Sequence, residues 1–204
     1  YIVASHPHSD HMGGLDYVVN NFDCENIILS TVKESATPTT KTYKDFLFAI
    51  KSKKLNVIKA ITGKTFNLGD STIEILGPVK EYEDLNDSSV VLKVTFGNKK
   101  FLFTGDIEKT AEQDLIDSGV NLSADFLKIA HHGSSTSTST KFLKKVNPSF
   151  AAISVNFDNK YSHPHIETIR RLELANVKYY LTRNYSVLIF KSDGNNITIN
   201  NINN

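Results

Sequence analysis

The chain has 204 residues, 40% of them hydrophobic and 10% aromatic, which suits one well-buried globular domain. Its 23 basic and 22 acidic side chains leave a formal charge of +1, so no global field dictates a nucleic-acid or membrane partner, and polyanion binding has to be local. Cys24 is the single cysteine, which excludes an internal disulfide, and no run of about 18 apolar residues exists, which excludes a membrane-spanning helix in this stretch.

The first element is the apolar run Tyr1-Ile2-Val3-Ala4, a strand that enters mid-element and stops before His6-Pro7-His8-Ser9-Asp10-His11. All seven histidines of the chain fall into three clusters, and this is the densest. On an extended loop, alternate positions send His6 and His8 the same way, while Asp10 and His11 turn toward a second ion nearby, so one loop feeds two metals. Imidazole and carboxylate ligands suit zinc, and the lack of thiolates leaves manganese or iron open.

Further along, short β-rich runs alternate with amphipathic helical ones, with no linker or repeat to divide them. Strands are expected at 27–30, 56–61, 72–76, 90–96, 100–104, 125–130, 151–155, 178–181, 186–191 and 196–200, from β-branched and aromatic enrichment. Apolar spacing of three and four predicts helices at 15–22, 40–53, 107–117, 138–146 and 166–175. Gly97-Asn98 between two strands signals a hairpin and makes the middle of the sheet antiparallel. The order is mixed α/β.

Three features add to the site. Phe101-Leu102-Phe103-Thr104-Gly105-Asp106 delivers a carboxylate just past a strand, and such an Asp bridges two cations through its two oxygens. Phe126 to Ala130 is a strand that ends in His131-His132-Gly133; one imidazole is expected on a metal, the other as proton donor or phosphate contact. The spacing leaves open which is which, and the working assignment puts His131 on the metal and His132 in the acid role. Tyr161-Ser162-His163-Pro164-His165 precedes a helix, with His163 a second candidate acid and Arg170-Arg171 a solvated helix face. The hydroxyl-rich segment 134–140 reads as a loop running into a helix N-terminus, where Ser134 and Ser135 would hydrogen-bond a phosphate.

Taken together, His6-Pro7-His8-Ser9-Asp10-His11-Met12-Gly13-Gly14 resembles the signature of the metallo-β-lactamase superfamily, and Phe103-Thr104-Gly105-Asp106 resembles its bridging-aspartate motif. Within it, Asn86-Asp87-Ser88-Ser89-Val90-Val91-Leu92, Lys128-Ile129-Ala130-His131-His132-Gly133-Ser134 and Tyr161-Ser162-His163-Pro164 are similar to the hydrolase domain of ComEC-type competence proteins and their free-standing bacterial relatives. The resemblance covers nearly the whole chain. It implies a four-layer αββα sandwich in one domain over 1–204, and a site at one sheet edge holding two divalent ions, zinc or else manganese or iron. The implied ligands are His6, His8, Asp10, His11, Asp106 and His131; Asp10 orients a metal-bound hydroxide, His132 or His163 protonates the leaving oxygen, and Asn86 and Ser89 join Ser134 and Ser135 at the substrate.

The implied reaction is hydrolysis of a phosphodiester, in DNA or a cell-wall polymer, at an extracytoplasmic or secreted location. Alternatives are a β-lactamase-like amide or ester hydrolase, an enzyme like the teichoic acid phosphorylcholine esterases, whose paired-histidine motif is similar, and a degenerate metal-binding domain. Two departures stand out. Relatives are expected to begin with strands that precede the metal loop, so the sequence reads as N-terminally truncated; and no histidine occurs from Met12 to Ala130, where many relatives supply another ligand. Oligomeric state has no signal in the sequence.

Overall fold

The computed structural model describes residues 1–202. Strand β1 (Ile2–Ala4), helical turn α1 (Ser9–Met12), helix α2 (Leu15–Asn21), strand β2 (Asn26–Leu29), helix α3 (Lys41–Lys53) and strand β3 (Asn56–Lys59) form the first half. The three strands make an all-parallel sheet in the order β1-β2-β3. Helix α3 starts where Thr40 accepts the Tyr43 amide and stops at Lys54, whose left-handed backbone (φ 54°) breaks the helical repeat.

A second sheet follows, built from β4 (Thr65–Leu68), β5 (Ser71–Gly77), β6 (Val91–Phe96), β7 (Lys99–Phe103), β8 (Phe126–Lys128), β9 (Phe150–Ile153) and β10 (Lys178–Leu181). Its order is β10-β9-β8-β7-β6-β5-β4, antiparallel from β4 to β7 and parallel from β7 to β10. The Gly97-Asn98 turn joins β6 to β7 as the sequence predicts. Helices α4 (Lys109–Asp117), α5 (Thr140–Val146) and α6 (Ile166–Leu174) make the parallel crossovers, and a hairpin of β11 (Val187–Ser192) and β12 (Ile197–Ile202) closes the described chain.

Three apolar clusters establish the layers. Ala4, Val19, Ile27, Phe46 and Ile50 bury the first helices against one face of the parallel sheet. Ile28, Ile73, Ile75, Val90 and Leu92 bury the opposite face against the larger sheet. Leu102, Leu127, Ala151 and Ile153 meet Leu115, Phe142, Leu143 and Leu172 of α4 to α6 on the far side. Adjacent residues Ile27 and Ile28, and Val91 and Leu92, belong to different clusters, as period-2 alternation requires of strands buried on both faces. The result is the four-layer αββα sandwich, a mixed α/β fold with its helices outside. On the part of the larger sheet that β1 to β3 leave uncovered, Phe190 of β11 packs on Phe126 with ring centroids 4.6 Å apart.

Several local expectations shift. Strand β4 has no counterpart in the sequence reading because it is mostly exposed and Phe66 is its one half-buried aromatic, too little for a periodic signal. Helix α5 begins at Thr140 rather than 138, since Thr138 is left-handed (φ 53°) and Ser139 accepts the Phe142 amide as cap at 3.2 Å. Arg171 is not a solvated charge: it donates to Thr168 Oγ1 at 2.7 Å and reaches the Ser135 carbonyl.

Candidate metal centre

Chain ends of both sheets meet at one edge. Strand β1 runs into Ser5 and His6, and the expected extended loop gives way at Ser9 to the helical turn α1, which carries Asp10 and His11. Strand β7 delivers Asp106 through Gly105, whose φ of +53° places the backbone where an added Cβ would lie 2.7 Å from Ser89, so only glycine fits. Strand β8 leads to His131 and His132, both left-handed (φ 46° and 53°), a conformation that turns the two neighbouring rings apart.

The outcome is that His132 and not His131 reaches the cluster. His132 Nε2 lies 3.2 Å from His11 Nε2, 3.5 Å from Asp106 Oδ2 and 3.4 Å from Asp10 Oδ2. His11 Nε2 is 3.1 Å from Asp106 Oδ2. Ligand atoms of Asp10, His11, Asp106 and His132 all fall within 4.8 Å of one another. Behind them His6 Nε2 sits 3.9 Å from Asp106 Oδ2 and 3.0 Å from His8 Nδ1, so His6 and His8 do point the same way.

Supporting hydrogen bonds fix which nitrogens face inward. His132 Nδ1–H donates to the Ser154 carbonyl at 2.8 Å, leaving its Nε2 lone pair for the cluster. Ser5 Oγ lies 3.1 Å from His11 Nδ1 and 3.2 Å from His6 Nδ1, and Ser89 Oγ is 3.2 Å from His6 Nδ1, which orients both rings in the same sense. Ser89 Oγ also accepts the Asp106 amide at 3.0 Å. Ser89 therefore stands behind the ligands, fully buried, and does not line the cleft.

Charge follows geometry. Burial by itself would raise the Asp106 carboxyl, but the His11 and His132 contacts outweigh it and hold it below the ordinary carboxylate range. Asp106 raises His132 in turn, against its burial. Burial, aided by the neighbouring imidazoles, lowers His6 to about 3.

Converging imidazole lone pairs and carboxylates repel one another unless a cation lies among them, and Asp106 Oδ1 is buried with no protein partner. This donor set fits divalent metal, with His6 and His8 available to Asp106 on one side and Asp10, His11 and His132 on the other.

The centre opens into a cleft of about 720 Å³ whose walls include Asn86, His131, Tyr161 and His163. Asn86 Oδ1 is buried and unpartnered there. His131 donates Nδ1–H to Glu108 Oε1 at 3.0 Å. His163, mostly buried, is lowered to about 4 by burial and by the histidines around it.

Ser134 and Ser135 are not brought into the cleft. Ser134 Oγ pairs with Thr136 at 2.8 Å, and Ser135 Oγ and amide face His165 Nδ1 at 3.1 and 2.9 Å. Carboxylates engage the rest of the segment: Thr136 donates to Glu108 at 2.9 Å, and buried Glu112 accepts the Thr138 and Ser139 amides, while the Ser137 and Thr138 hydroxyls are buried without a partner. The acid at 112 occupies the N-terminal place that the sequence reading reserved for a phosphate.

The family model described as Metallo-beta-lactamase superfamily matches residues 1–155. ComE operon protein 3 of Bacillus subtilis (strain 168) is 26% identical over 182 residues, 89% of this chain and 23% of that protein. Competence protein ComA of Neisseria gonorrhoeae is 37% identical over 100 residues, 48% of this chain and 14% of that protein. Recombination protein 2 of Haemophilus influenzae is 28% identical over 172 residues, 84% of this chain and 19% of that protein. The chain thus spans less than a quarter of the length of these relatives. Among solved structures, Igni18, a metallo hydrolase from Ignicoccus hospitalis, superposes with a TM-score of 0.55 at 13% identity over 88% of this chain and 74% of that one. CmlA, a diiron β-hydroxylase from Streptomyces venezuelae, gives 0.54 at 13% identity over 87% and 42%. These two likenesses bear on the fold alone.

Proposed function

The chain belongs to the metallo-β-lactamase superfamily, and on that premise we propose that it hydrolyses phosphodiester bonds, with a nucleic acid as the polymer. The observation that carries the reading is the convergence of Asp10, His11, Asp106 and His132 on the floor of an open cleft, with one Asp106 oxygen left for a cation. Relatives named for competence and for recombination support nucleic acid over a cell-wall polymer, and an extracytoplasmic place of action rests on the ComEC-type resemblance. No helix among the described residues is long and apolar enough to cross a membrane.

Asp10, His11, His132 and Asp106 would hold one divalent ion, and His6 and His8 with Asp106 a second; zinc, manganese and iron all accept this donor set. When bound, such ions lower the pKa of water toward neutrality and neutralise charge developing on a phosphoryl oxygen. The protein's own part is to orient and to move protons. Asp10, the exposed carboxylate of the cluster, would accept a hydrogen bond from the attacking water. His131, held through Nδ1 by Glu108 and lining the cleft, is better placed than His163 to protonate the leaving oxygen. His163, near 4, is neutral at pH 7 and serves as an acceptor. In this assignment His131 and His132 exchange the roles that the sequence reading gave them.

The test is metal content together with hydrolysis of bis(p-nitrophenyl) phosphate, single-stranded DNA and a chromogenic lactam, after reconstitution with zinc or manganese. About two ions per chain, with phosphodiester turnover lost in Asp106→Ala and His11→Ala, is the expected result. Faster turnover of the lactam would overturn the substrate class, and tight metal binding with no turnover would leave a degenerate binding domain.

A further inference from the structure

Segment 156–163 forms one wall of the cleft and is braced by two asparagines. Asn159 donates to the Asn156 and His163 carbonyls at 3.0 Å each and accepts the His163 amide at 2.8 Å; Asn156 Oδ1 accepts the Phe157 amide at 2.7 Å. The bracing matters because the loop displays two aromatic rings to solvent, Phe157 at 68% and Tyr161 at 61% exposure. Two large rings on one short, internally bonded loop beside a cleft thus stand mostly open to solvent rather than in the core.

Their setting says what they are for. His132, His163 and Tyr161 form a ladder of near-parallel rings: His132 to His163 is 6.3 Å at 13°, and His163 to Tyr161 is 5.6 Å at 24°. The ladder starts in the metal cluster and ends at the exposed Tyr161 on the rim. Each exposed ring also has a cation beside it, Lys160 Nζ at 4.8 Å from the Tyr161 centroid and Arg183 Cζ at 5.4 Å from that of Phe157. Asp10, Asp106 and Asp158 are the acidic residues that line the cleft, and Lys160 is the lysine that does.

We infer that Tyr161 is a stacking platform for an unpaired nucleobase next to the scissile phosphate, and that Lys160, beside it, and Arg183, beside Phe157 of the same loop, take the flanking phosphates. This deepens the phosphodiester reading and rests on it for the polymer. A planar base can lie on the exposed Tyr161 ring at the outer end of the near-parallel series, and its phosphates match the cations. A quaternary ammonium group such as choline would meet like charge at both rings. Bases in a duplex are already stacked and cannot reach the platform, so single strands are the preferred form.

The experiment measures binding rather than turnover, which keeps the two readings separable. The metal-loaded chain is titrated by fluorescence anisotropy with hydrolysis-resistant phosphorothioate oligothymidylate, an abasic oligomer of the same length and charge, and a duplex of the same length. Expected is an approximately tenfold preference for oligothymidylate over the abasic strand, falling to about one in Tyr161→Ala and retained in Tyr161→Phe, which keeps the ring. Equal binding of base-bearing and abasic strands by wild type, an unchanged preference in Tyr161→Ala, duplex binding as tight as single strand, or tighter binding of a choline-bearing teichoic acid fragment would each overturn it. Base-dependent binding without hydrolysis of ordinary oligothymidylate would leave the platform standing and remove the phosphodiesterase reading. Tyr161 is exposed, and a thermal melt confirms that both variants are folded.

Discussion

His132 donates its Nδ1–H to the Ser154 carbonyl at 2.8 Å, and this one bond points the opposite nitrogen of the ring at Asp106. Its neighbour His131 is turned to Glu108 instead. The two adjacent histidines therefore predict different losses. His132→Ala is expected to remove metal and lower phosphodiester kcat/KM by about 100-fold or more, while His131→Ala keeps its metal and loses turnover alone, by about 100-fold. Metal stoichiometry measured beside kcat/KM separates them.

Ser89 joins Asp106 to His6 from behind. Ser89→Ala should weaken metal binding by roughly 10- to 100-fold with little change in the core, read by competition with a chromogenic chelator. Gly105→Ala should be worse, because it combines a positive φ with a Cβ 2.7 Å from Ser89. A loss of about 1–3 kcal/mol in urea unfolding is expected, together with loss of the metal.

Acid should destabilise the metal-free chain. His6 and His163, ordinarily near 6.5, are held at about 3 and about 4 by burial, so the unfolded chain binds protons that the folded one refuses. Stability is full above about 6.5 and falls as pH drops toward 4, as each group must be protonated in the unfolded chain before it is in the folded one. His132, raised by Asp106, acts oppositely: its contribution is present at low pH and lost as pH rises past its folded value. Urea midpoints between pH 7 and pH 4 should fall in wild type and fall more steeply in His132→Asn; a flat profile would contradict this account.

Ser135→Ala should leave phosphodiester turnover within about twofold, since its hydroxyl faces His165 and not the cleft. Glu112→Ala should instead destabilise the chain by about 2–4 kcal/mol without touching the ligands, because two amides at the start of α5 lose their acceptor. Thermal melts and steady-state rates on the same two variants check both statements.

The mixed α/β order was legible in the strand and helix patterns, the four-layer sandwich only through the family resemblance, and histidine spacing pointed to the loop whose Asp10 and His11 join the cluster. What escaped was set by tertiary contact. Strand β4 exists by pairing with β5 rather than by its own apolar pattern. The choice between His131 and His132 depends on left-handed backbone that no spacing rule encodes. Ser134 and Ser135 looked free for phosphate because Glu108 and Glu112, which engage that segment, lie more than twenty residues away in sequence. Phe157 and Tyr161 gave no signal as a pair, since two exposed rings four positions apart are indistinguishable in sequence from surface residues.

Asp10 and His11 hang from the parallel sheet, Asp106 and His132 from the larger one. An ion held among them would thus be a rivet through the sandwich, adding to the apolar contacts and to the hydrogen bonds that cross between the halves, such as the Val90 amide to the Ser5 carbonyl at 2.8 Å. Metal loading and cohesion of the two sheets would then be one equilibrium: an ion at about 1,000 times its dissociation constant would add about 4 kcal/mol, and slippage between the sheets would release it. Either half on its own offers only part of the ligand set, so the centre also reports whether the two halves have docked.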